Sequence, residues 1–224
     1  MICFGHRGAS GYEPENTLRS FQRAIDFGCP WIELDVYIAD ERIVVIHDDD
    51  LTRTTNGTGR VSASSFTYLR SLDAGKGELI PTLEEVFALV DHRCGINIEL
   101  KGPGTAAAVG KLLASTHYPK DEILISSFDH HEVALMDPDW NRAALFEQAS
   151  SEYVDRALAL NAVSINLDRQ LVTESAVAKA HSAGLKVYVF TVNTPTDLEQ
   201  MKALAVDGVF CDFPDRVLAM QDTH

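Results

Sequence analysis

The sequence has no apolar stretch approaching the ~20 residues of a membrane span, so no spanning helix is expected. It has no basic N-terminal region followed by an apolar run, so no secretory signal is expected either. It is short of positive charge, with 19 Lys and Arg against 33 Asp and Glu and a net charge of −14. That balance disfavours nucleic acid and anionic membrane surfaces as main partners. It leaves room for one small anionic substrate where a cation is held locally. Cysteine is scarce: Cys3, Cys29, Cys94 and Cys211 lie far apart, form no CxxC, have no His-rich neighbours, and each sits in or beside an apolar stretch. Such thiols are expected to be buried and reduced in a cytoplasmic protein. There is no low-complexity tract, and no internal repeat beyond an alternation of strand and helix patterns.

What is present suits one large domain. The 224 residues, 46% of them hydrophobic, can enclose a substantial core. Short apolar strands are predicted at residues 1–5, 31–37, 95–101, 123–127, 142–146, 162–167, 186–192 and 208–211. Each is followed by a helical pattern. The first, 16–27, takes Asn16 as its N-cap and Gly28 as its stop. Thr82 to Glu85 reads as a capping box, and Thr194-Pro195 opens a later helix. Eight strand–helix units argue for a closed (β/α)8 TIM barrel, which typically takes ~250 residues, over an open doubly wound sheet. A further strand at 43–46, ending in His47, is an excursion at the barrel mouth. The turn-rich stretch 48–80, with NGTG at 56–59, is too long for an ordinary loop and reads as an insertion lobe within a single domain of residues 1–224.

The chemistry concentrates in residues 32–47, IELDVYIADERIVVIH. Alternation along a strand puts Glu33 and Asp35 on one face, about 6.6 Å apart, with Ile32, Leu34 and Val36 on the other. A reversal at Asp40-Glu41 would bring His47 back beside Leu34 and Asp35. By itself this could be an edge hairpin with a solvated acidic face. In a barrel, however, polar residues recur at C-terminal strand ends, where catalytic groups lie: His6-Arg7, Glu33 and Asp35, Glu99 and Lys101, and Thr191 to Asn193. Three converging carboxylates, Glu33, Asp35 and Glu99, need a compensating charge. Oxygen ligation suits a hard divalent cation, Mg²⁺ or Ca²⁺; the competing reading is a set of salt bridges with Arg7 and Lys101. His6 and His47 would flank the ion as general acid and general base. Arg7 and Lys101 would then complete a cationic pocket for phosphate. Gly5 and Gly8 permit either close approach of backbone to a ligand or a tight turn. The remaining histidines, His92, His117, His130, His131, His181 and His224, fall on helices, loops or the tail, with no catalytic role expected.

The runs HRGASGYEPENTLRSFQRA, GCPWIELDVYIADERIVVIHDDDLTRTTNGTG, IPTLEEV and INIELK, followed by ISSF, FTVN and DGVFCDFP, resemble the glycerophosphodiester phosphodiesterase family over nearly the whole chain and in the family's order. The resemblance implies a TIM barrel with a small insertion after the HD motif. It implies metal-dependent hydrolysis of glycerophosphodiesters, such as glycerophosphocholine or glycerophosphoethanolamine, to glycerol 3-phosphate and an alcohol. His6 and His47 would be the acid/base pair, Glu33, Asp35 and Glu99 the ligands of one ion, and Arg7 and Lys101 the phosphate contacts. Glu15 and Asn16 of the PENT run lie close by, Asn16 as a helix cap and Glu15 with no direct role assigned. Phe190 stands where the family commonly has Trp and still offers an apolar wall for glycerol. Phe128 is either a second wall residue or barrel packing. The nucleophile, water or the substrate's glycerol 2-hydroxyl, stays open, as does which histidine is acid and which base. Rival readings are a lysophospholipase D, a sphingomyelinase-D-like enzyme or a phosphoinositide phospholipase C, which the charge of −14 and the lack of an exposed apolar helix disfavour. A non-catalytic phosphate-binding barrel would be marked by loss of either histidine, and both are present.

Overall fold

A computed structural model describes residues 1–221; His224 lies outside the described residues. The strands are β1 (Ile2–Gly5), β2 (Trp31–Ala39), β3 (Arg42–Val45), β4 (Gly95–Leu100), β5 (Ile123–Ser127), β6 (Asn141–Phe146), β7 (Ser164–Asp168), β8 (Lys186–Phe190) and β9 (Gly208–Cys211). The helices are α1 (Leu18–Asp26), α2 (Phe66–Leu69), α3 (Leu83–Val90), α4 (Thr105–Ser115), α5 (His130–Leu135), α6 (Tyr153–Ala159), α7 (Glu174–Ser182), α8 (Pro195–Ala203) and α9 (Pro214–Gln221). Apart from β3, the strands pair in parallel around a ring, and β1 bonds to both β2 and β9 and so closes it. The fold is a (β/α)8 barrel.

Strand β3 lies outside the ring, antiparallel to β2, with Val36 opposite Val45 and Ala39 opposite Arg42. Asp40 and Glu41, at φ 51 and 62, make the two-residue reversal expected from the sequence. The Ile46 N–H donates to the Asp35 carbonyl at 3.0 Å, so the returning chain reaches the barrel mouth beside β2. Leu51, Val61, Leu69, Leu72 and Ile80 then form an apolar cluster against Ala39, Val44 and Ile46, separate from the main core. Residues 48–80 are thereby anchored to the outer face of the hairpin.

The main core lies between the strands and the helical layer. Leu34, Val36, Ile96 and Ile98 pack outward against Phe21 and Ala24 of α1 and Val86 and Val90 of α3. Each Leu, Val, Ile or Phe among them contributes about 1.5–3 kcal/mol of burial. A third cluster, Phe4, Leu124, Ala143, Tyr188 and Phe210, fills the inside of the barrel towards its N-terminal end. It acts as a plug that leaves only the C-terminal end of the interior for polar side chains. Thr82 and Glu85 form the capping box at α3, and Thr194 caps α8 ahead of Pro195. The first helix departs from expectation: Thr17, not Asn16, is its N-cap, its side chain accepting from the Ser20 N–H at 3.2 Å. Asn16 sits at φ 56, turned out of the helix. Among the described residues, no helix is long and apolar enough to cross a membrane.

Candidate active site

The parallel register of β2 and β4 sets Glu33 beside Asn97 and Asp35 beside Glu99. Their inward faces therefore bring three carboxylates together, each offering an oxygen within 4.8 Å of the others. Glu33 and Asp35 are 2% and 1% exposed. Two cations face them. Lys101 Nζ donates to Glu99 at 2.8 Å and lies 3.7 Å from Asp35, while Arg7 Nε lies 3.4 Å from the other Asp35 oxygen. The Arg7 backbone N–H donates to Glu33 at 2.9 Å, an approach made by a left-handed Arg7, φ 53. Gly8 follows at φ 85, and a Cβ there would meet Ser20 Oγ at 2.4 Å. Its role is close packing on α1, not approach to a ligand.

Three acids against two cations leave one excess negative charge in a buried space. Burial, then the neighbouring charges of Asp35 and Glu99, raise the Glu33 carboxyl well above its ordinary range. Burial and Asp35 push Glu99 up to about 7. Burial would also raise Asp35, but Arg7, Lys101 and His47 outweigh it and hold that carboxyl low. Glu33 Oε1 is buried without any hydrogen-bond partner. A cluster of hard oxygen donors, short of positive charge and with an orphaned carboxylate atom, fits a divalent cation.

The two imidazoles are held alike. His6 Nδ1 is 2.7 Å from Asp212 Oδ1, and His47 Nδ1 is 2.5 Å from Asp48 Oδ1. An ionised carboxylate can only accept, so Nδ1 carries the proton in each neutral ring and Nε2 is the free base. Those Nε2 atoms turn to the cluster: that of His6 is 4.0 Å from Glu33, and that of His47 accepts from Lys101 Nζ at 3.4 Å. Burial lowers the basicity of His47. Asp212 is fixed by Ser10 Oγ at 3.0 Å and Asn193 Nδ2 at 2.6 Å. Asp48 is fixed by Arg53; burial would raise its carboxyl, but Arg53 and His47 hold it down at about 2. Arg53 also forks onto Glu15 through two bonds of 2.8 Å, and Glu15 pairs with Arg7 at 2.9 Å. Residues 48–80 thus reach back through Arg53 to brace both the His47 and Arg7 sides.

The mouth opens into a cavity of about 400 Å³ lined by His6, Arg7, Glu33, His47, Glu99, Lys101, Phe128 and Phe190, among others. A larger open groove of about 1000 Å³ runs between α6 and α7 on the outer wall, and no predicted site residue lines it.

The sequence profile of the glycerophosphoryl diester phosphodiesterase family matches residues 6–216. The chain belongs to that family. It is an enzyme, a glycerophosphodiester phosphodiesterase. It is 34% identical to the glycerophosphodiester phosphodiesterase of Caldanaerobacter subterraneus subsp. tengcongensis over 234 residues, covering 97% of this chain and 96% of that one. It is 35% identical to the enzyme of that name from Bacillus altitudinis over 240 residues, covering 98% and 97%. A phosphodiesterase from Oleispira antarctica, solved in complex with the product sn-glycerol-3-phosphate, superposes with a TM-score of 0.93 at 31% identity, covering 100% of this chain and 97% of that one.

All nine residues singled out from the sequence of this phosphodiesterase, His6, Arg7, Glu33, Asp35, His47, Glu99, Lys101, Phe128 and Phe190, lie at the barrel mouth. Asn16 does not cap α1. Its Nδ2 donates to Asp35 at 2.9 Å, and its Oδ1 accepts from the Asp35 N–H at 3.3 Å. Glu15, left without a role, joins Arg7 to Arg53. Asp48 and Asp212 were not singled out at all. Adjacency to His47 in the HD pair could have found the first, and the strand-end position of Asp212 in DGVFCDFP the second. Of the histidines expected to be uninvolved, His92 pairs with Glu122 and His181 with Asp207 at 2.8 Å each, and His130 bonds to the Leu145 carbonyl at 3.1 Å. None of these lines the cavity.

Proposed function

We propose that this enzyme hydrolyses glycerophosphodiesters such as glycerophosphocholine and glycerophosphoethanolamine to glycerol 3-phosphate and an alcohol, with one divalent cation, Mg²⁺ or Ca²⁺. The observation that carries the reading is the convergence of three carboxylates with two imidazoles, each imidazole bound at Nδ1 by an aspartate. The product complex of the Oleispira antarctica relative supports the substrate class.

Glu33, Asp35 and Glu99 are the residues to hold the ion. Bound there, it would polarise a phosphoryl oxygen and lower the pKa of a hydroxyl. A divalent charge turns the excess of one negative into an excess of one positive, which a singly charged phosphodiester neutralises. Arg7, through its planar guanidinium, and Lys101, as a point charge, bind the phosphate oxygens and stabilise the charge that grows there. One imidazole accepts at Nε2 the proton of the attacking hydroxyl, from water or the glycerol 2-hydroxyl. The other, protonated at Nε2, delivers its proton to the departing alcohol oxygen. Asp48 and Asp212 hold the rings in the competent tautomer and stabilise each imidazolium as it forms. Phe128 and Phe190 wall the cavity on the apolar side. Residues 1–224 act as one domain with 48–80 as its lobe, and the four buried free thiols accord with a reducing, cytoplasmic setting.

The test is turnover of a glycerophosphodiester panel in the presence of chelator, then with each metal restored. Turnover should vanish and return with metal, and His6→Ala and His47→Ala should each lower kcat by about 10²- to 10⁴-fold. Undiminished hydrolysis in chelator would overturn the reading.

A further inference from the structure

The cavity has two unlike halves. Strands β1, β2 and β4 with His47 carry the acids, the cations and the imidazoles. The β5–β8 half carries Ser126, Phe128, Leu145, Glu147, Asn166 and Phe190. Glu147 is the residue that does not belong to the chemistry described so far. It follows β6 directly and continues the inward alternation from Ala143, in the interior plug, through Leu145, in the cavity wall. Its carboxylate is exposed at the rim and makes no hydrogen bond or ion pair with any described residue. Each of the other acids lining the cavity has a partner: Glu99 accepts from Lys101, and Glu33 accepts from the Arg7 backbone N–H.

An uncompensated acid is an odd lining for a pocket whose substrate is an anion. It repels a phosphodiester unless the far end of that diester brings a positive charge. The same cavity is lined by two aromatic rings, Phe128 and Phe190, edge to face with centroids 5.7 Å apart. The Phe128 ring already has a cation near it, Lys101 Nζ at 5.8 Å from its centroid. Carboxylate plus aromatic surface is the chemistry that receives an ammonium group. The floor of the same cavity is different. Asn97 and Asn166, 1% and 0% exposed, each leave one amide atom without a partner, Oδ1 and Nδ2 respectively. An acceptor and a donor buried there suit the hydroxyls of a small polyol. The glycerol arm therefore belongs at the floor and the leaving alcohol at the rim.

We propose that Glu147, with Phe128 and Phe190 of the same cavity, recognises a positively charged leaving alcohol, so that the enzyme selects diesters bearing an ammonium head group over those of neutral polyols. This rests on the phosphodiesterase reading above. The test measures kcat/KM for glycerophosphocholine and for glycerophosphoglycerol, at saturating metal, in wild type, Glu147→Gln and Glu147→Lys. The ratio of the two should exceed one in wild type. It should fall about 5-fold in Glu147→Gln, chiefly through KM for the choline ester, and further in Glu147→Lys. Because the side chain is exposed and unbonded, both variants should melt with the wild type. A wild-type ratio of one or below, or a ratio that Glu147→Gln leaves unmoved while both diesters are hydrolysed, overturns this proposal alone. Hydrolysis of neither diester overturns the reading beneath it and this proposal with it.

Discussion

Replacing Asp212 by Asn isolates what the aspartate does for His6. Asp212 Oδ1 accepts from His6 Nδ1 at 2.7 Å and from Ser10 Oγ at 3.0 Å, and Oδ2 accepts from Asn193 Nδ2 at 2.6 Å. Burial would raise this carboxyl, but His6, Asn193 and Ser10 hold it low, so all its neighbours expect an acceptor. An amide supplies one oxygen and one NH₂. If the NH₂ faces Asn193, it meets another donor, and Asn193 cannot readily turn, because its Oδ1 already accepts the Asp212 backbone N–H at 2.8 Å. If the NH₂ faces His6, it forces the ring proton onto Nε2, which is then no longer free to accept a proton. In either arrangement a protonated His6 has no carboxylate at its Nδ1. General acid–base catalysis contributes about 10²–10⁴-fold, so the substitution should remove about 3–5 kcal/mol of transition-state stabilisation. Asp212 is a positioning residue, and the loss should fall in kcat, with KM and metal affinity near wild type and the pH dependence of kcat altered. Steady-state hydrolysis of glycerophosphocholine across pH, with calorimetric metal titration, measures all three. A kcat within about threefold of wild type at saturating substrate would refute the reasoning, since the effect expected is at least ~10²-fold.

Asn16→Ala removes both contacts to Asp35, at 2.9 and 3.3 Å, and should weaken divalent-metal binding by about 10-fold in calorimetric titration. An unchanged Kd would return Asn16 to a purely local role. Asp207→Asn should cost about 1–2 kcal/mol at neutral pH in denaturant unfolding, because its carboxylate accepts the Val187 N–H at 2.8 Å and pairs with His181 and Lys186. Burial opposes the shift, but these partners hold the Asp207 carboxyl below its ordinary 3.8. The stability it contributes is therefore complete above pH 3.8 and is lost as pH falls through the lower folded value, so the gap between variant and wild type should close in acid. A gap that persisted at the lowest pH would place the effect elsewhere than in the charge.

Much of the fold was legible because period-2 and helical patterns alternate along the chain outside the hairpin and the 48–80 insertion. The acidic cluster was legible because Glu33 and Asp35 share one face of a strand that is otherwise apolar. His47 could be placed because Asp40-Glu41 marks a tight reversal. Asn16 was harder, since the same side chain serves equally as a cap or as a long-range hydrogen-bond partner, and Thr17 beside it took the cap. Asp212 lies 206 residues from His6 in sequence. Only barrel closure joins them, by setting Gly5 opposite Cys211 so that the next residue of each strand meets. Arg53 and Glu15 lie in polar stretches with no periodicity, where nothing local distinguishes a brace from a solvated charge. Glu147 is hidden for the opposite reason: it falls just past a strand, where inward alternation is easily mistaken for the start of a loop.

One divalent ion is expected among Glu33, Asp35 and Glu99, between the two imidazoles. Anomalous diffraction from crystals grown with Mn²⁺ tests it most directly. A single strong peak bounded by those three carboxylates, with His6 Nε2 and His47 Nε2 on opposite sides of it, is the predicted result. A peak elsewhere, or none at the cluster while the crystals still turn over substrate, would contradict the account.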